Sequence, residues 1–306
     1  MFQMNRYFSH WAVTLDLALE KGKEVDADII LGTDPDADRV GIAVKNLEGN
    51  FELLNGNQTA SVLFYYMMQK ANLNEHPYFV CKTIVTSELI TEVANHFKIP
   101  IYNTLTGFKY IAEVIKEKEG KEKFLCGGEE SYGYLIGDDV RDKDAVTATL
   151  LACEIAAYTK SNDSSFFKEL VDTYVEHDFY NERLVSLSKK GIEGSQEITN
   201  IMEAARNNPV SSIQGSKVVT VHDYKLSLCK NLKSGITENI SIPKSDVLIY
   251  TTEDGSRVAL RPSGTEPKIK FYLSVNCPLN CADDFSATEK LLNTKINAII
   301  TEMNFS

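Results

Sequence analysis

The sequence has no apolar run near the ~20 residues that a bilayer-spanning helix requires, which argues against a helical membrane protein. It has no excess of basic charge: 32 Lys and Arg stand against 43 Asp and Glu, for a formal net charge of -11. A general nucleic-acid binder needs a basic face, so that class is set aside. A small phosphorylated ligand is not excluded, because a few local donors can hold one phosphate against an unfavourable average field. No CxxC pair occurs among Cys81, Cys126, Cys153, Cys229, Cys277 and Cys281, and no His lies beside the last two to complete a metal clip. Reduced thiols in a cytoplasmic protein are therefore expected. Internal repeats and low-complexity tracts are missing. The opening MFQMNRYFSHWAV does not read as a secretory leader.

What is present suits a soluble protein with real cores, since 43% of residues are hydrophobic and 25% charged. The length of 306 residues matches two domains with a fragment of a third. Asp28–Thr33 reads as a buried strand with Val40–Val44 as its partner across a loop. Asn57 is placed as the cap of a helix running through Tyr65 and Met68. Tyr78–Val85 is a further strand. Ser87 starts a helix whose Leu89, Ile90, Val93, Ala94 and Phe97 keep a 3.6-residue period. Phe108, Ile111, Ala112 and Ile115 form the next helical face, followed by strand Phe124–Cys126 and a long helix from about Asp144 to Tyr158. Strands and helices alternating at this spacing predict an α/β layer with a mixed, mostly parallel sheet. Thr159–Ser165 reads as a polar surface loop.

Beyond about Tyr174 the pattern changes. Strand-like Arg183–Leu187, a helix near Ile192–Arg206, and strands at Lys217–Val221, Arg257–Leu260 and Lys268–Val275 precede a closing helix with Leu292, Ile296 and Ile299. Ile269, Phe271, Leu273 and Val275 alternate, as a sheet with one wet face requires. A smaller α+β domain is expected here. The expected partition is 1–54, a partial α/β domain; 55–173, an α/β domain; and 174–306, the α+β domain.

Three loops carry candidate chemistry. In Thr33-Asp34-Pro35-Asp36-Ala37-Asp38-Arg39, carboxylates at alternating positions on a Pro-tightened turn can address one hard cation such as Mg²⁺. A surface turn is the plain alternative. Repulsion among three like charges and the flanking strands favour the metal. An EF-hand would need Gly and Glu where Arg39 and Lys45 stand. A haloacid-dehalogenase-type phosphatase fits poorly, because Asp38 occupies the position of its expected Thr or Val. In Cys126-Gly-Gly-Glu129-Glu130-Ser131-Tyr132-Gly133, flanking glycines would let the backbone turn and present a carboxylate with a hydroxyl, a pair suited to sugar hydroxyls. A Gly-rich hairpin explains this loop equally well. Downstream, Arg141-Asp142-Lys143-Asp144 offers a Lys among carboxylates for proton transfer, or a solvated charge cluster. Arg261-Pro262-Ser263-Gly264-Thr265-Glu266-Pro267 offers a guanidinium, hydroxyls and an exposed backbone, the parts of a phosphate cradle. A hairpin loop is its plain alternative.

In this order, Asp-Pro-Asp-Ala-Asp-Arg, Gly-Glu-Glu-Ser-Tyr-Gly and Arg-Pro-Ser-Gly-Thr-Glu-Pro resemble the metal-, sugar- and phosphate-binding loops of the phosphoglucomutase/phosphomannomutase family, from about Ala12 onward. Thr104-Leu-Thr-Gly-Phe-Lys109 resembles a family loop that helps hold the distal phosphosugar. The resemblance implies a phosphoserine mechanism that interconverts hexose 1-phosphate and hexose 6-phosphate through a bisphosphorylated intermediate. Glucose 1,6-bisphosphate would be its activator. It also implies Mg²⁺ on Asp34, Asp36 and Asp38, with Arg39 and Lys143 in catalysis. Thr106, Gly107, Lys109, Glu129, Ser131, Arg261, Ser263, Gly264 and Thr265 would bind substrate. Arg141–Asp144 resembles the phosphoglucomutase and phosphopentomutase variant, and Ser131–Tyr134 lacks the His of the bacterial phosphomannomutase branch. A phosphomannomutase, a phosphopentomutase or a non-catalytic sugar-phosphate module remain alternatives.

One departure stands out. The family's serine lies in a Thr-Ala-Ser-His-Asn-Pro type of segment upstream of the metal loop, and these residues contain none; Ser9-His10-Trp11 lacks the following Asn-Pro. No complete turnover is expected from this polypeptide alone. The expected partners are a hexose phosphate and either a complementing N-terminal half or a second copy, joined through an incomplete sheet near Asp34.

Overall fold

A computed structural model describes residues 6–264 and 266–305, with side chains from Leu15 onward, and its two compact units divide between His177 and Asp178. In the first unit, α1 (Arg6–Glu24) is followed by an antiparallel meander of β1 (Ile29–Thr33), β2 (Val40–Lys45) and β3 (Phe51–Leu53). The first two strands pair across the acidic loop as expected, and the pairing is antiparallel. Only six residues join β1 to β2, too few for a parallel crossover.

The mixed sheet comes next. After α2 (Gly56–Lys70), the chain runs β4 (Tyr78–Thr83), α3 (Leu89–Phe97), β5 (Ile101–Thr104), α4 (Phe108–Lys118), β6 (Lys123–Gly128) and β7 (Tyr134–Ile136). Strand order is β5-β4-β6-β7, parallel except for the antiparallel edge strand β7. Its core includes Phe79, Phe108, Ile111, Ile115 and Phe124. The helices α5 (Ala145–Ser161) and α6 (Phe166–His177) complete the unit, both packing against α2 and β2. Because β4, β5 and β6 are parallel, the loops at their C-terminal ends share one edge, where open α/β sheets bind ligands.

Two local expectations need correcting. Asn55, not Asn57, caps α2: its side chain accepts the Gln58 N–H while Gln58 reaches back to the Asn55 N–H. Asn57 accepts the Ser87 N–H instead, tying α2 to the loop after β4. Gly127 and Gly128 belong to β6 and do not turn the chain. A Cβ on them would stand 2.8 Å from Cys81 O and 2.7 Å from Gly133 O, so close packing demands glycine there.

The second unit is built on one antiparallel sheet. The chain runs β8 (Phe179–Ser188), α7 (Gly191–Asn207), β9 (Ser212–Ile213), β10 (Ser216–Asp223), β11 (Leu228–Asn231), β12 (Thr237–Asn239), β13 (Leu248–Thr252), β14 (Arg257–Pro262), β15 (Lys268–Cys277) and α8 (Phe285–Glu302). The strand order is β12-β11-β10-β13-β14-β15-β8, with β9 paired to β10. The helix α8 packs on β15 and β8, where Phe285 stacks on Phe179 at 4.9 Å. Both faces of β15 are partly covered, since Lys268 and Tyr272 are buried along with Ile269, Phe271, Leu273 and Val275. The wet face expected there is narrower than its alternation implied. Among the described residues no helix is long and apolar enough to cross a membrane.

Candidate active site

The acidic turn joins β1 to β2, whose five-pair antiparallel register fixes both of its ends. Asp34 Oδ1 accepts the N–H groups of Asp38 and Arg39, each at 3.0 Å. Ala37 is held at φ 55°, a left-handed conformation that non-Gly residues adopt only when their surroundings insist. Those surroundings include the Asp34 carbonyl, which accepts the Ala37 N–H, and the Ala145 N–H at the start of α5, which donates to Ala37 O at 3.0 Å. Donor atoms of Asp34, Asp36 and Asp38 lie within 4.8 Å of one another. They form an all-oxygen set of the kind hard divalent cations take.

Part of this negative charge is balanced from within the chain. Lys143 Nζ stands 2.8 Å from Asp38 Oδ2 and 2.9 Å from Asp142 Oδ1, and Arg39 Nε lies 3.5 Å from Asp38 Oδ1. Repulsion alone therefore does not demand a metal, a point the local sequence could not reveal. Burial works to lower the Lys143 pKa, but its hydrogen bonds to Asp38 and Asp142 outweigh burial and hold it above the ordinary lysine range. At neutral pH Lys143 is an ammonium, able to give a proton or lend charge but not to accept a proton while Asp38 holds it.

The sugar-loop candidates stand at the shared strand edge. Glu129 is buried, and its Oε1 accepts the Gly107 N–H at 2.7 Å, joining the ends of β6 and β5. Neighbouring Glu130 Oε2 accepts the hydroxyls of Thr83 and Thr86, both at 3.3 Å, which adds the end of β4. Ser131 and Thr106 are half-buried beside them. Tyr132, at φ 71°, offers its carbonyl to Val40 N–H at 3.2 Å, so this loop is tied to the strand leaving the acidic turn. Lys143 completes the junction. A Cβ on Gly133 would lie 2.3 Å from Lys143 Cδ, and Lys143 Nζ lies 5.5 Å from the Phe108 ring centroid. Lys109 is exposed and lines a 520 Å³ cleft with Lys116, Glu119 and Arg141.

Thus Asp34, Asp38, Arg39, Lys143, Gly107 and Glu129 are joined within one unit by direct bonds and packing, with Asp36 near the other two carboxylates of the turn. Thr83, Thr86 and Glu130 escaped the sequence reading. Hydroxyls clustered just after an apolar strand, as in Thr83-Ile-Val-Thr86-Ser87, were the available signal. Arg261, Ser263 and Gly264 belong to the second unit, at the turn between β14 and β15. Arg261 lies in β14 opposite Lys270, and Ser263 N–H donates to Lys268 O at 2.7 Å. Thr265 lies outside the described residues.

Comparison with known proteins points the same way. Residues 55–174 match the family description "Phosphoglucomutase/phosphomannomutase, alpha/beta/alpha domain III", and residues 202–276 match "Phosphoglucomutase/phosphomannomutase, C-terminal domain". The phosphoglucomutase of Staphylococcus aureus strain MRSA252 is 38% identical over 285 residues, which cover 93% of this chain and 50% of that protein. The phosphoglucomutase of strain USA300 is 38% identical over 263 residues, covering 86% of this chain and 47% of that protein. In fold, the chain is similar to Paramecium parafusin (pp63), a phosphoglucomutase, in its open form: TM-score 0.64 at 18% identity, covering 97% of this chain and 49% of the other. A phosphoglucomutase/phosphomannomutase family protein from Burkholderia thailandensis gives a TM-score of 0.58 at 12% identity, covering 95% and 50%. The chain spans about half the length of the curated relatives it matches. Two matched domains in the family's order, over well more than half the sequence, make this chain a member of the phosphoglucomutase/phosphomannomutase family, corresponding to its C-terminal part.

Proposed function

We propose that this chain supplies the metal, sugar and phosphate loops of a phosphoglucomutase-type isomerase. The reaction interconverts hexose 1-phosphate and hexose 6-phosphate through a phosphoserine and a bisphosphorylated hexose. The observation that carries this reading is the junction at Lys143, which joins Asp38 of the acidic turn to the wall of the sugar loop at Gly133.

Asp34, Asp36 and Asp38 fit Mg²⁺ by donor type and by their braced turn. When bound, Mg²⁺ supplies positive charge to phosphoryl oxygens. Arg39, exposed at the turn's end, adds a guanidinium suited to the same oxygens. The Gly107 N–H orients the Glu129 carboxylate, which with Ser131 and Thr106 accepts and donates hydrogen bonds to sugar hydroxyls. Lys143 stays protonated while Asp38 holds it, and becomes a proton donor or acceptor when that carboxylate is drawn elsewhere. Lys109 adds charge near the distal phosphate. Arg261, Ser263, Gly264 and Thr265 hold the phosphate that is not reacting. The phosphoserine comes from residues outside this sequence and is primed by glucose 1,6-bisphosphate.

The test mixes the chain with the N-terminal half of the Staphylococcus aureus phosphoglucomutase, Mg²⁺ and glucose 1,6-bisphosphate. It follows conversion of glucose 1-phosphate to glucose 6-phosphate. Turnover that Asp38→Asn abolishes supports the proposal. Calorimetric binding of glucose 6-phosphate that Arg261→Ala weakens, without turnover, makes the chain a sugar-phosphate-binding module instead. Absence of both sinks the reading.

A further inference from the structure

A second constellation lies at the opposite edge of the parallel sheet. A helix connecting two parallel strands runs antiparallel to them, so the last turn of α3 sits at the edge away from the strand-end loops. His96 stands in that last turn, and Glu176 and His177 stand in the last turn of α6. The Glu176 carboxylate lies between the two imidazoles: Oε1 is 3.5 Å from His96 Nδ1, and Oε2 is 3.7 Å from His177 Nε2. One donor atom from each residue falls within 4.8 Å of the other two.

We infer that His96, Glu176 and His177 form a binding site for a divalent transition-metal ion of the Zn²⁺ or Ni²⁺ class, clamping α3 to α6. Two imidazoles with one carboxylate are the donors of borderline transition metals, in contrast to the all-oxygen acidic turn. Three protein ligands leave one position open to water.

Other features favour a cation here. The C-terminal ends of two helices meet at the cluster, and the negative ends of their dipoles favour positive charge. The ligands also have outer support. Tyr65 O–H donates to Glu176 Oε2 at 3.0 Å, and the Tyr65 ring packs edge-on against Phe97 at 5.4 Å. Such contacts orient a ligating carboxylate. The His96 and His177 rings lie 5.1 Å apart at 85°, and the His177 side chain is only 8% exposed, so one ligand is fixed by packing. His96 and Glu176 are exposed and free to close the roughly 1 Å that separates this spread from metal-bound spacing. The inference does not depend on the isomerase reading, because the three residues stand at the helix ends on the opposite edge of the sheet.

The experiment uses the full 306-residue chain, freed of metal by chelator and dialysis, in a Cys153→Ser/Cys281→Ser background that removes the exposed thiols. Zn²⁺ and, separately, Ni²⁺ are titrated by calorimetry, and Co²⁺ is followed by its visible absorption. Asp34→Asn is added to this background to disable the acidic turn, whose carboxylates also take divalent cations, and one saturable site is then expected. His96→Ala should weaken Zn²⁺ at least tenfold and erase the Co²⁺ bands, and Glu176→Gln should weaken it severalfold. Circular dichroism establishes that each variant is folded, and His96→Gln replaces any that is not. Absence of a saturable site overturns the inference, as does Zn²⁺ affinity that survives in His96→Ala and His96→Gln.

Discussion

A Cβ placed on Gly56 would stand 1.9 Å from the Glu130 carbonyl oxygen, whereas one on Gly264 would meet nothing within 4 Å among the described residues. The first unit fixes its site loops by packing chain against chain, through Gly56 beneath Glu130, Gly133 against Lys143 and Tyr132 O bonded to Val40 N–H. The second unit holds its loop at the hairpin base, where Ser263 N–H meets Lys268 O, and leaves the space above Gly264 open. A motif glycine can thus serve the fold in one place and leave room for a ligand in another.

The sharpest way to break this comparison is Gly56→Ala. Forcing a methyl onto a backbone carbonyl should cost the first unit about 3 kcal/mol. Hydrogen exchange should show lost protection in β4 and β6 with β14 unchanged. An equal loss in both units would mean that the close approach is relieved cheaply. Gly264→Ala should leave thermal stability nearly unchanged and weaken glucose 6-phosphate binding about tenfold, or ~1.4 kcal/mol. A stability loss with unaltered binding would reverse the assignment of that loop.

A smaller effect tests the internal counter-ion. Lys143→Met removes a competitor for Asp38, so Mg²⁺ should bind about fivefold tighter, worth ~1 kcal/mol. Calorimetry reads this directly, and unchanged affinity would show that Lys143 and the cation do not share a carboxylate. The smallest effect belongs to the second unit. Burial raises the Asp254 pKa, but hydrogen bonds from Lys295, Thr252 and Ser256 outweigh it and hold the carboxyl well below the usual range. A pKa lowered in the fold stabilises above the unfolded value of about 4, and that contribution fades as pH falls further. Asp254→Asn should therefore flatten the dependence of unfolding midpoint on pH below about 4. An unchanged slope would place the effect elsewhere.

Periodic elements were readable from local pattern. The faces of α3 and α4 and the alternation along β15 follow from burying apolar side chains at 3.6- and 2-residue spacing. Polar or non-local features were not. The β11–β12 hairpin has mostly polar, exposed residues, so no hydrophobic rhythm marks it. Asn55 and Asn57 are equivalent caps by composition, and only the reciprocal bond with Gln58 selects the first. The helix α6 went unread although Phe166, Phe167, Leu170, Val171 and Tyr174 bury one face. At the candidate site, the acidic turn was legible because its residues are adjacent in sequence. The Lys143–Asp38 pair and the Thr83–Thr86–Glu130 bonds exist only after the fold brings distant segments together.

The hydrogen bond from Ala145 N–H to Ala37 O fastens the acidic turn to the first peptide of a long helix. A turn so moored arrives at its final shape when the unit folds, and its carboxylates need little further rearrangement to receive an ion. The speed of cation uptake should then be governed by how fast the ion sheds its own water.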